Sequence, residues 1–252
     1  MAPETALHDF RRSLGANAED SAERRRPLRE RYLVERGALP GWAGNSGCIL
    51  AGADYLNRVT GGGAEHAVFF DPELQAYVKI TRGFGLTAGT DFRIGKRTQK
   101  YLAIPFVRQA TPLEYLERLA LFNELFGDEI RVAGVIAGPE LAIVTTQPVI
   151  RGRDASSAEI VSFMAGFGFA PLDDVVVGRR DSASFFRAAD GVAVFDAHGE
   201  NVLAGETGIA PIDLFVIRTG DDLRAFLEMP AADRLAEIGR WVSVSSDWSA
   251  AP

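Results

Sequence analysis

Asp196, Asn201 and Asp213 are the residues of this chain whose types and spacing point most directly to chemistry. Four residues separate the first two, and Asp213 closes an apolar segment further along the chain. A carboxylate that follows the apolar run 192–195 can accept a hydroxyl proton, although an Asx turn or cap is also compatible with Asp196. An amide oxygen and a second carboxylate suit a hard cation such as Mg²⁺. The spacing therefore indicates a catalytic carboxylate beside a magnesium site.

A β-hairpin is predicted to bring the two candidate metal ligands together. Residues 205–208 have the composition of a turn, and the segments on either side have apolar, strand-like sequences. Folding the chain about this turn places Asn201 opposite Ile212 or Asp213. Directly opposed residues have Cβ atoms about 5 Å apart, so one cation could bind both side chains.

The first half of the chain contains residues suited to holding phosphates. Gly61, Gly62 and Gly63 precede a predicted β-hairpin, and glycine allows backbone N–H groups to approach a phosphate closely. A flexible turn is the alternative interpretation of this run. Lys79 lies on the second strand of the hairpin, where its ammonium group could contact phosphates if a carboxylate held it in place. A solvated sheet edge is the alternative for this lysine.

The helix predicted over residues 112–126 offers that carboxylate. Glu114 and Glu117 lie about one turn apart and share a face of the helix. Glu117 lies near the middle of the helix and is the preferred partner for Lys79, while Glu114 remains open. An exposed helix glutamate without a catalytic role has the same pattern.

The composition of the 252-residue chain excludes several classes of protein. A formal net charge of −7 disfavours a nucleic-acid partner, because binding to phosphate backbones needs a basic surface. Cys48 is the one cysteine in the sequence, which excludes an internal disulfide and a thiolate zinc site and fits a reducing, cytoplasmic location. The longest apolar stretch, residues 132–150, is broken by glycine, proline and glutamate, so no membrane span is expected. Residues 1–5 lack the features of a secretory leader.

Helix-type and strand-type patterns follow each other along the chain and predict an α+β fold. The predicted segments are a helical extension over 1–40, strands over 68–70 and 76–80, an irregular insertion over 81–111, the helix over 112–126, strands over 130–136 and 141–146, a helix opened by Ser156 and Glu159, and helices near 222–227 and 231–241. The three arginines at 24–26 are interpreted as a solvated helix face. A boundary between two parts of the chain is predicted near residues 147–153.

Because the candidate residues and the predicted elements follow each other in this order, the chain resembles the protein-kinase-like superfamily. More narrowly, it resembles the kinase domains of polyvalent proteins from phages and mobile elements. The resemblance covers about residues 55–216 and rests on the segments TGGGAEHAVFF, YVKI, PLEYLERLALFNELF, TTQPVIRGRDASSAEIVSFMAGFGF, VAVFDAHGENVL and IAPIDLF. With His198, the catalytic-loop segment has the form D-x-H-x-x-N, which is also similar to aminoglycoside and choline phosphotransferases.

The resemblance implies a two-lobe fold that binds ATP between the lobes. It implies an N-lobe of antiparallel sheet plus helix over 41–149, which follows the extension, and a reduced, mostly helical C-lobe over 150–252. By position in this sequence, Gly61, Gly62 and Gly63 would cover the phosphates, Lys79 would contact them and be held by Glu117 or Glu114, Gln147 and Val149 would line the adenine site, Asp196 would be the catalytic base, and Asn201 and Asp213 would hold Mg²⁺.

Several residues depart from the pattern of protein kinases. Val194 and Phe195 replace the His-Arg pair before the catalytic aspartate, Leu214 and Phe215 replace the Phe-Gly pair after the metal aspartate, and no Ala-Pro-Glu motif is present. The expected function is an ATP- and Mg²⁺-dependent phosphotransferase acting on a hydroxyl acceptor, either a protein or a small molecule. A catalytically inactive, pseudokinase-like nucleotide-binding or scaffold module is the alternative, and transfer of AMP is a third hypothesis.

Overall fold

The computed structural model describes residues 1–15, 27–94, 101–206 and 208–237. The described chain forms two compact units. The first unit contains residues 1–87 and 109–151, and the second contains the described residues of 88–108 and 152–252. The N-terminal helices expected to form a separate extension therefore belong to the first unit, and the chain passes into the second unit after Arg151.

The first unit is built on a six-stranded sheet with the strand order β1-β7-β8-β4-β3-β2. Its strands are β1 (Ile49–Leu50), β2 (Gly61–Gly62), β3 (His66–Asp71), β4 (Ala76–Thr81), β7 (Arg131–Ile136) and β8 (Ala142–Pro148). All neighbouring strands are antiparallel except β1 and β7, which are parallel. The predicted hairpin that carries Lys79 is therefore confirmed as β3 and β4.

The two faces of this sheet have different characters. Val78 and Ile80 are buried in an apolar cluster on one face. The opposite face carries Lys79, because the register pairs Lys79 with Thr145 and Tyr77 with Gln147 across β4 and β8, and opposed residues share a face. The predicted alternation along this strand is confirmed, and it leaves Lys79 and Gln147 on the same face.

In the described residues, four helices accompany the sheet: α1 (Pro3–Ser13), α2 (Leu28–Asn45), α3 (Gly52–Leu56) and α4 (Pro112–Phe126). The bounds of α4 match the prediction because its sequence contains a signal at each end. Thr111 and Glu114 form a reciprocal capping box, and Gly127 ends the helix in the left-handed conformation. Helices α1 and α2 pack through Phe10 and Trp42, whose ring centroids are 5.5 Å apart.

The expectation of an irregular insertion over residues 81–111 is wrong. The segment contains β5 (Leu86–Ile94) and β6 (Tyr101–Gln109), which pair as a two-stranded sheet. Gly83 and Gly85, both with positive φ, form the bend before β5. The sequence contains enough aromatic and β-branched residues for strands, but the interspersed glycines and basic residues obscured their alternation.

The described part of the second unit contains a four-stranded sheet, a three-stranded sheet, most of the β5–β6 pair and helices between and after the strands. Its elements are β9 (Arg153–Asp154), α5 (Ser157–Gly166), β10 (Ala170–Pro171), β11 (Ala183–Arg187), β12 (Val192–Ala197), β13 (Val202–Gly205), β14 (Gly208–Pro211), β15 (Phe215–Arg218) and α6 (Asp221–Glu228). The sheet orders are β10-β11-β12-β15 and β14-β13-β9. The expectation of a mostly helical second half is therefore wrong for the described residues, because short runs of aromatic and β-branched residues form strands here.

The remaining helix predictions have mixed outcomes. The capping box of Ser156 and Glu159 opens α5 as predicted, and α6 covers the predicted helix near 222–227. Residues 231–237 are helical, whereas residues 238–241 and the arginines at 24–26 lie outside the described residues. Within the described ranges, none of the helices combines the length and apolar character needed to cross a bilayer.

Candidate functional site

Asp196 lies near the end of β12 in an unusual backbone conformation. Its φ is +60°, in the left-handed region that few residues other than glycine adopt, although aspartate and asparagine tolerate it better than most. Gly178 lies directly against its side chain: a Cβ atom on this glycine would lie 2.9 Å from the Asp196 Cβ and still closer to the carboxylate. A glycine at position 178 is therefore needed for the observed position of Asp196.

Two donors fix the Asp196 carboxylate. The backbone N–H of Arg179 donates to Oδ1 at 2.8 Å. The Asn201 Nδ2 group donates to Oδ2 at 3.2 Å and to the Asp196 backbone carbonyl at 3.0 Å. Asp196 and Asn201, which the sequence singled out by their spacing, are therefore in direct contact, and the carboxylate is held in one orientation.

The predicted hairpin brings Asn201 and Asp213 to the same end of two paired strands. Asn201 ends a short 3₁₀ turn and leads into β13, which pairs with β14. The Ile212 N–H donates to the Asn201 carbonyl at 2.8 Å, so the predicted opposition of these residues is confirmed. Asp213 follows in a bend just beyond the ladder. One residue of the predicted turn, Thr207, lies outside the described residues.

His198 lies close to Asp196 without a hydrogen bond to its carboxylate. Its Nε2 atom is 3.9 Å from Asp196 Oδ1, which is too long for a hydrogen bond. Its Nδ1 atom is buried without a hydrogen-bond partner in the part of the chain that the structure describes. The His198 side chain is only 10% exposed, so this nitrogen is an unsatisfied polar atom next to the candidate base.

Arg179 forms two ion pairs, one of them with Glu200 of this loop. The Arg179 guanidinium contacts Glu200 at 2.7 Å and Asp181 at 2.7 Å. These contacts raise the pKa of Arg179, and the guanidinium lowers the pKa of Glu200. Gly178 and Arg179 were not predicted from the sequence, because they lie in an irregular stretch with no motif of its own.

The glycine run adopts a specific tight turn. Gly61 and Gly62 form β2, and the Gly63 N–H donates to the His66 carbonyl at 2.9 Å. Gly62 has a φ of +138°, and a Cβ atom there would lie 2.9 Å from the Ala67 Cα. The backbone geometry therefore requires a glycine at position 62. All three glycines are exposed, as contact with a ligand would demand.

Lys79 shares its sheet face with a polar pair that was not predicted from the sequence. The Gln147 Nε2 group donates to Asp128 Oδ2, and the Gln147 side chain is 3% exposed. Burial raises the pKa of Asp128 to about 7, while the hydrogen bond from Gln147 and the charge of Lys79 oppose the rise. A half-buried carboxyl group therefore lies within electrostatic range of Lys79.

Glu114 and Glu117 are placed differently from the expectation for a lysine partner. Glu117 binds Arg11 of α1. Glu114 binds Arg31 of α2 at 2.9 Å and accepts the Thr111 N–H at 3.0 Å. Both carboxylates lie on the side of α4 that faces the N-terminal helices, because they are one turn apart. These contacts join α4 to the N-terminal helices and cap its first turn, and the expected partnership with Lys79 stays a prediction.

Gln147 and Val149 have partners that bear on the expected adenine site. The Val149 N–H donates to the Gln75 carbonyl at 3.2 Å, and the Gln147 amide binds Asp128. The backbone donor at position 149 already has an acceptor. An adenine ring bound here would therefore need a different donor or the displacement of that bond.

Comparisons of the chain with protein-family models, with curated proteins and with solved structures found no match. Functional inference therefore depends on the geometry of the two clusters. The second unit supplies a fixed carboxylate with an amide and a further carboxylate nearby, and the first supplies a strand-borne lysine and an exposed glycine turn.

Proposed function

We propose that this chain is an ATP- and Mg²⁺-dependent phosphotransferase that transfers the γ-phosphate to a hydroxyl acceptor. The observation that carries the proposal is the Asp196 carboxylate, which is held by the Arg179 backbone and the Asn201 side chain. Sequence order adds support, since a glycine turn, a strand lysine, a helix and then the Asp–Asn pair occur as in kinase-type enzymes. The proposed protein is a kinase-like enzyme of the α+β class.

The donor set near Asp196 fits a magnesium ion. The side chains of Asn201 and Asp213 offer an amide oxygen and a carboxylate, which are hard ligands of the type that Mg²⁺ prefers. The hairpin register keeps these residues at one end of the ladder. When bound, the metal would neutralise charge on the phosphates. Asn201 would thus have two roles, since its nitrogen also holds Asp196.

Asp196 is proposed as the group that orients the acceptor hydroxyl and takes its proton. A carboxylate oxygen has two lone pairs. The single donors from Arg179 and Asn201 therefore leave acceptor capacity on both oxygens. Phosphoryl transfer has a loose transition state, so Asp196 needs little basicity before the new bond to the acceptor oxygen forms. The hydroxyl proton therefore moves to Asp196 late in the reaction. The main contributions of the chain are positioning and electrostatic stabilisation.

Lys79 and the glycine turn are the proposed phosphate contacts of the first unit. Lys79 lies on β4, which neighbours β3, and β3 in turn pairs with the glycine strand β2. The lysine would act as a positive charge on the phosphates, and Gly61, Gly62 and Gly63 would allow close approach of their backbone. A Lys79 variant tests the contact proposed for the first unit.

A second candidate is a nucleotide-binding or scaffold module without catalysis. One observation favours it: the carboxylates of Glu114 and Glu117 contact arginines of α1 and α2. In kinases an ion pair between the strand lysine and the helix glutamate must be in place for activity. The contacts of these glutamates with arginines are compatible with a protein that binds a nucleotide and does not transfer a phosphoryl group.

The proposal is tested by binding and transfer measured on the same preparations. Thermal shift with Mg·ATP, with ATP in EDTA and with Mg²⁺ alone separates a nucleotide site from a bare scaffold. Self-labelling and hydrolysis with γ-labelled ATP then report phosphoryl transfer, whereas α-labelled ATP reports transfer of AMP. We expect a Mg·ATP-dependent shift and γ-label transfer; a chain that binds Mg·ATP without either product is the scaffold.

Asp196→Asn separates the two candidates most sharply. The amide preserves the size of the side chain and tolerates the left-handed backbone, so nucleotide binding should persist while transfer falls by about a hundredfold or more. Asp190→Asn is the matched control, because Asp190 precedes the same strand and contacts Arg187. Equal transfer by the two variants would remove Asp196 from the role of base.

A further inference from the structure

A buried charged pair connects the end of the glycine turn to helix α4. Glu65 follows the turn directly, and its Oε1 atom accepts hydrogen bonds from the Arg118 guanidinium and from the Leu86 N–H, the latter at 2.9 Å. Glu65 is 7% exposed and Arg118 is 4% exposed. Both charges are therefore withdrawn from solvent and form a buried ion pair.

The surrounding residues complete the hydrogen bonding of this pair. Arg118 Nη1 donates to the Leu86 carbonyl at 2.7 Å, and the guanidinium carbon lies 5.3 Å from the centroid of the Tyr115 ring. The Tyr115 hydroxyl is 3.0 Å from His66 Nε2. Gly85 makes room for the pair, since a Cβ atom there would lie 2.6 Å from Glu65 Oε1.

The backbone of the turn is attached to the same network. The Arg82 N–H donates to the Glu65 carbonyl at 2.8 Å, and the Gly63 N–H donates to the His66 carbonyl at 2.9 Å. Residues 63–66 therefore have their backbone bonded within the turn and to the end of β4, while the Glu65 side chain is bonded to α4 and β5. Movement of α4 would pull directly on the residue that ends the glycine turn.

Stability alone is a weak reason for such a pair. The cost of removing two charges from water offsets most of their attraction, and apolar residues of similar volume often stabilise a protein as well or better. Loss of one partner, by contrast, leaves an uncompensated buried charge. What the pair provides is a fixed distance and orientation between two elements.

We propose that Glu65 and Arg118 are positioning residues that couple the glycine turn to helix α4 and hold the turn in the shape that receives nucleotide phosphates. The coupling itself follows from the contacts of the first unit, and its effect on nucleotide rests on the proposed function. In this chain the proposed link joins an arginine on the helix to a carboxylate at the turn. The positions of the positive and negative charges are therefore the reverse of those in a pair of helix glutamate and strand lysine.

The coupling is tested on the full-length chain without nucleotide. Hydrogen exchange of peptides that cover residues 60–66 is compared for wild type, Glu65→Gln and Arg118→Met. We expect exchange in this segment to be about tenfold faster in both variants, which corresponds to a loss of about 1.4 kcal/mol in local opening free energy. Arg11→Met is the matched control, because it removes a different ion pair of the same helix, the one between Arg11 and Glu117, and should leave this segment unchanged.

The effect on nucleotide is measured as the Kd and KM for Mg·ATP, well below the unfolding temperature of each variant. We expect both constants to rise about tenfold in Glu65→Gln and Arg118→Met, with kcat nearly unchanged and Arg11→Met like wild type. A purely structural role would lower Tm and leave the two constants unaltered. Arg118→Lys keeps the buried charge and replaces Arg118→Met if that variant does not fold; it should show a smaller change in the same direction.

The outcomes separate this inference from the proposed function. Unchanged hydrogen exchange in the Glu65 and Arg118 variants overturns the coupling. Faster exchange with an unchanged Kd shows that the coupling exists but overturns its role in phosphate binding. Faster exchange in a chain whose wild type does not bind Mg·ATP supports the coupling and removes the phosphotransferase proposal.

Discussion

The surroundings of Asp196 and those of Lys79 differ in how their polar groups find partners. Asp196 is held by Asn201, five residues away, and by the backbone of Arg179. The Lys79 face instead carries Asp128 and Gln147, which come from a loop and a different strand. The helix carboxylates expected near Lys79 contact α1 and α2. Local spacing thus predicts a compact loop well, whereas a choice among charged partners on a helix depends on how that helix is rotated.

This difference has a consequence for robustness. The Asp196 loop depends on a close backbone approach and on short side chains, so a single added methyl group should disturb it. The Lys79 face is built from longer side chains that can adjust. We therefore expect the effects of substitution to be larger around Asp196 than around Lys79.

Gly178→Ala should have the largest effect. The new Cβ atom would lie 2.9 Å from the Asp196 Cβ and closer to its carboxylate, and the alanine would also have to adopt a φ of +95°. Displacement of the carboxylate by about 1 Å should reduce phosphoryl transfer about a hundredfold with Mg·ATP binding retained. Gly220→Ala is the control, since no neighbouring atom lies within 4 Å of the position that its new methyl group would take. Full activity of Gly178→Ala would mean that the position of Asp196 is not important for transfer.

Lys79→Met should have the next largest effect, and on binding more than on transfer. Loss of the ammonium charge should raise the Kd for Mg·ATP about tenfold, because a charge-assisted contact to a phosphate is worth about 1.5 to 3 kcal/mol. Glu117→Gln should leave the Kd unchanged, since its carboxylate contacts Arg11. A parallel loss of binding in both variants would restore Glu117 as the partner of Lys79.

Asp128→Asn should change how stability depends on pH. The pKa of Asp128 is raised from 3.8 to about 7 by burial, so the folded state favours the protonated form. The stabilisation that this preference gives is fully present below the unfolded-state pKa of Asp128. It is lost as the pH rises through about 7. The asparagine variant does not titrate, so its stability relative to wild type should increase between pH 4 and pH 8, by about 1 to 3 kcal/mol.

Urea unfolding of both proteins across this range measures the difference. Asp190→Asn provides a control of opposite sign, because Arg187 lowers the pKa of Asp190. Its stabilising contribution is present above the unfolded-state pKa and is lost as the pH falls. If the free energy of unfolding changed with pH in the same way for wild type and Asp128→Asn, the Asp128 carboxyl group would have an ordinary pKa.

Glu200→Gln should have the smallest effect. Glu200 contacts the Arg179 guanidinium at 2.7 Å, but both side chains are exposed and Asp181 remains as a second partner. Exposed ion pairs contribute little to stability. We expect a Tm within about 2 °C of wild type and transfer reduced less than about threefold, since the backbone donor to Asp196 is unaffected. A large loss of transfer would assign Glu200 a direct contact with the acceptor.

The sequence predicted the elements that its own local signals define. The capping boxes at Thr111 and Ser156 mark the starts of α4 and α5, and the hairpin around residues 205–208 follows from its turn composition. These features depend on residues within a few positions of each other, so the physical causes are visible in the sequence. The expected phosphate-binding and metal-binding roles of these residues stay predictions.

The contacts that could not be predicted from the sequence join residues far apart in the chain. Arg179 and Asp196 are 17 residues apart, Asp128 and Gln147 are 19 apart, and Glu65 and Arg118 are 53 apart. Each pair forms only after the strands and helices have packed. An ionisable residue in a helix or loop has many candidate partners before folding, and the packing of α4 brings Arg118 to Glu65.

The left-handed backbone at Asp196 restricts which residues can occupy that position. Asparagine fits the same φ of +60° almost as well as aspartate, whereas β-branched residues are strongly disfavoured there. A single change from acid to amide would remove the negative charge and leave the shape of the loop intact. Under the proposed role of Asp196, a relative with asparagine at position 196 would keep the architecture without the proposed chemistry, and this position would be the marker that distinguishes the two groups.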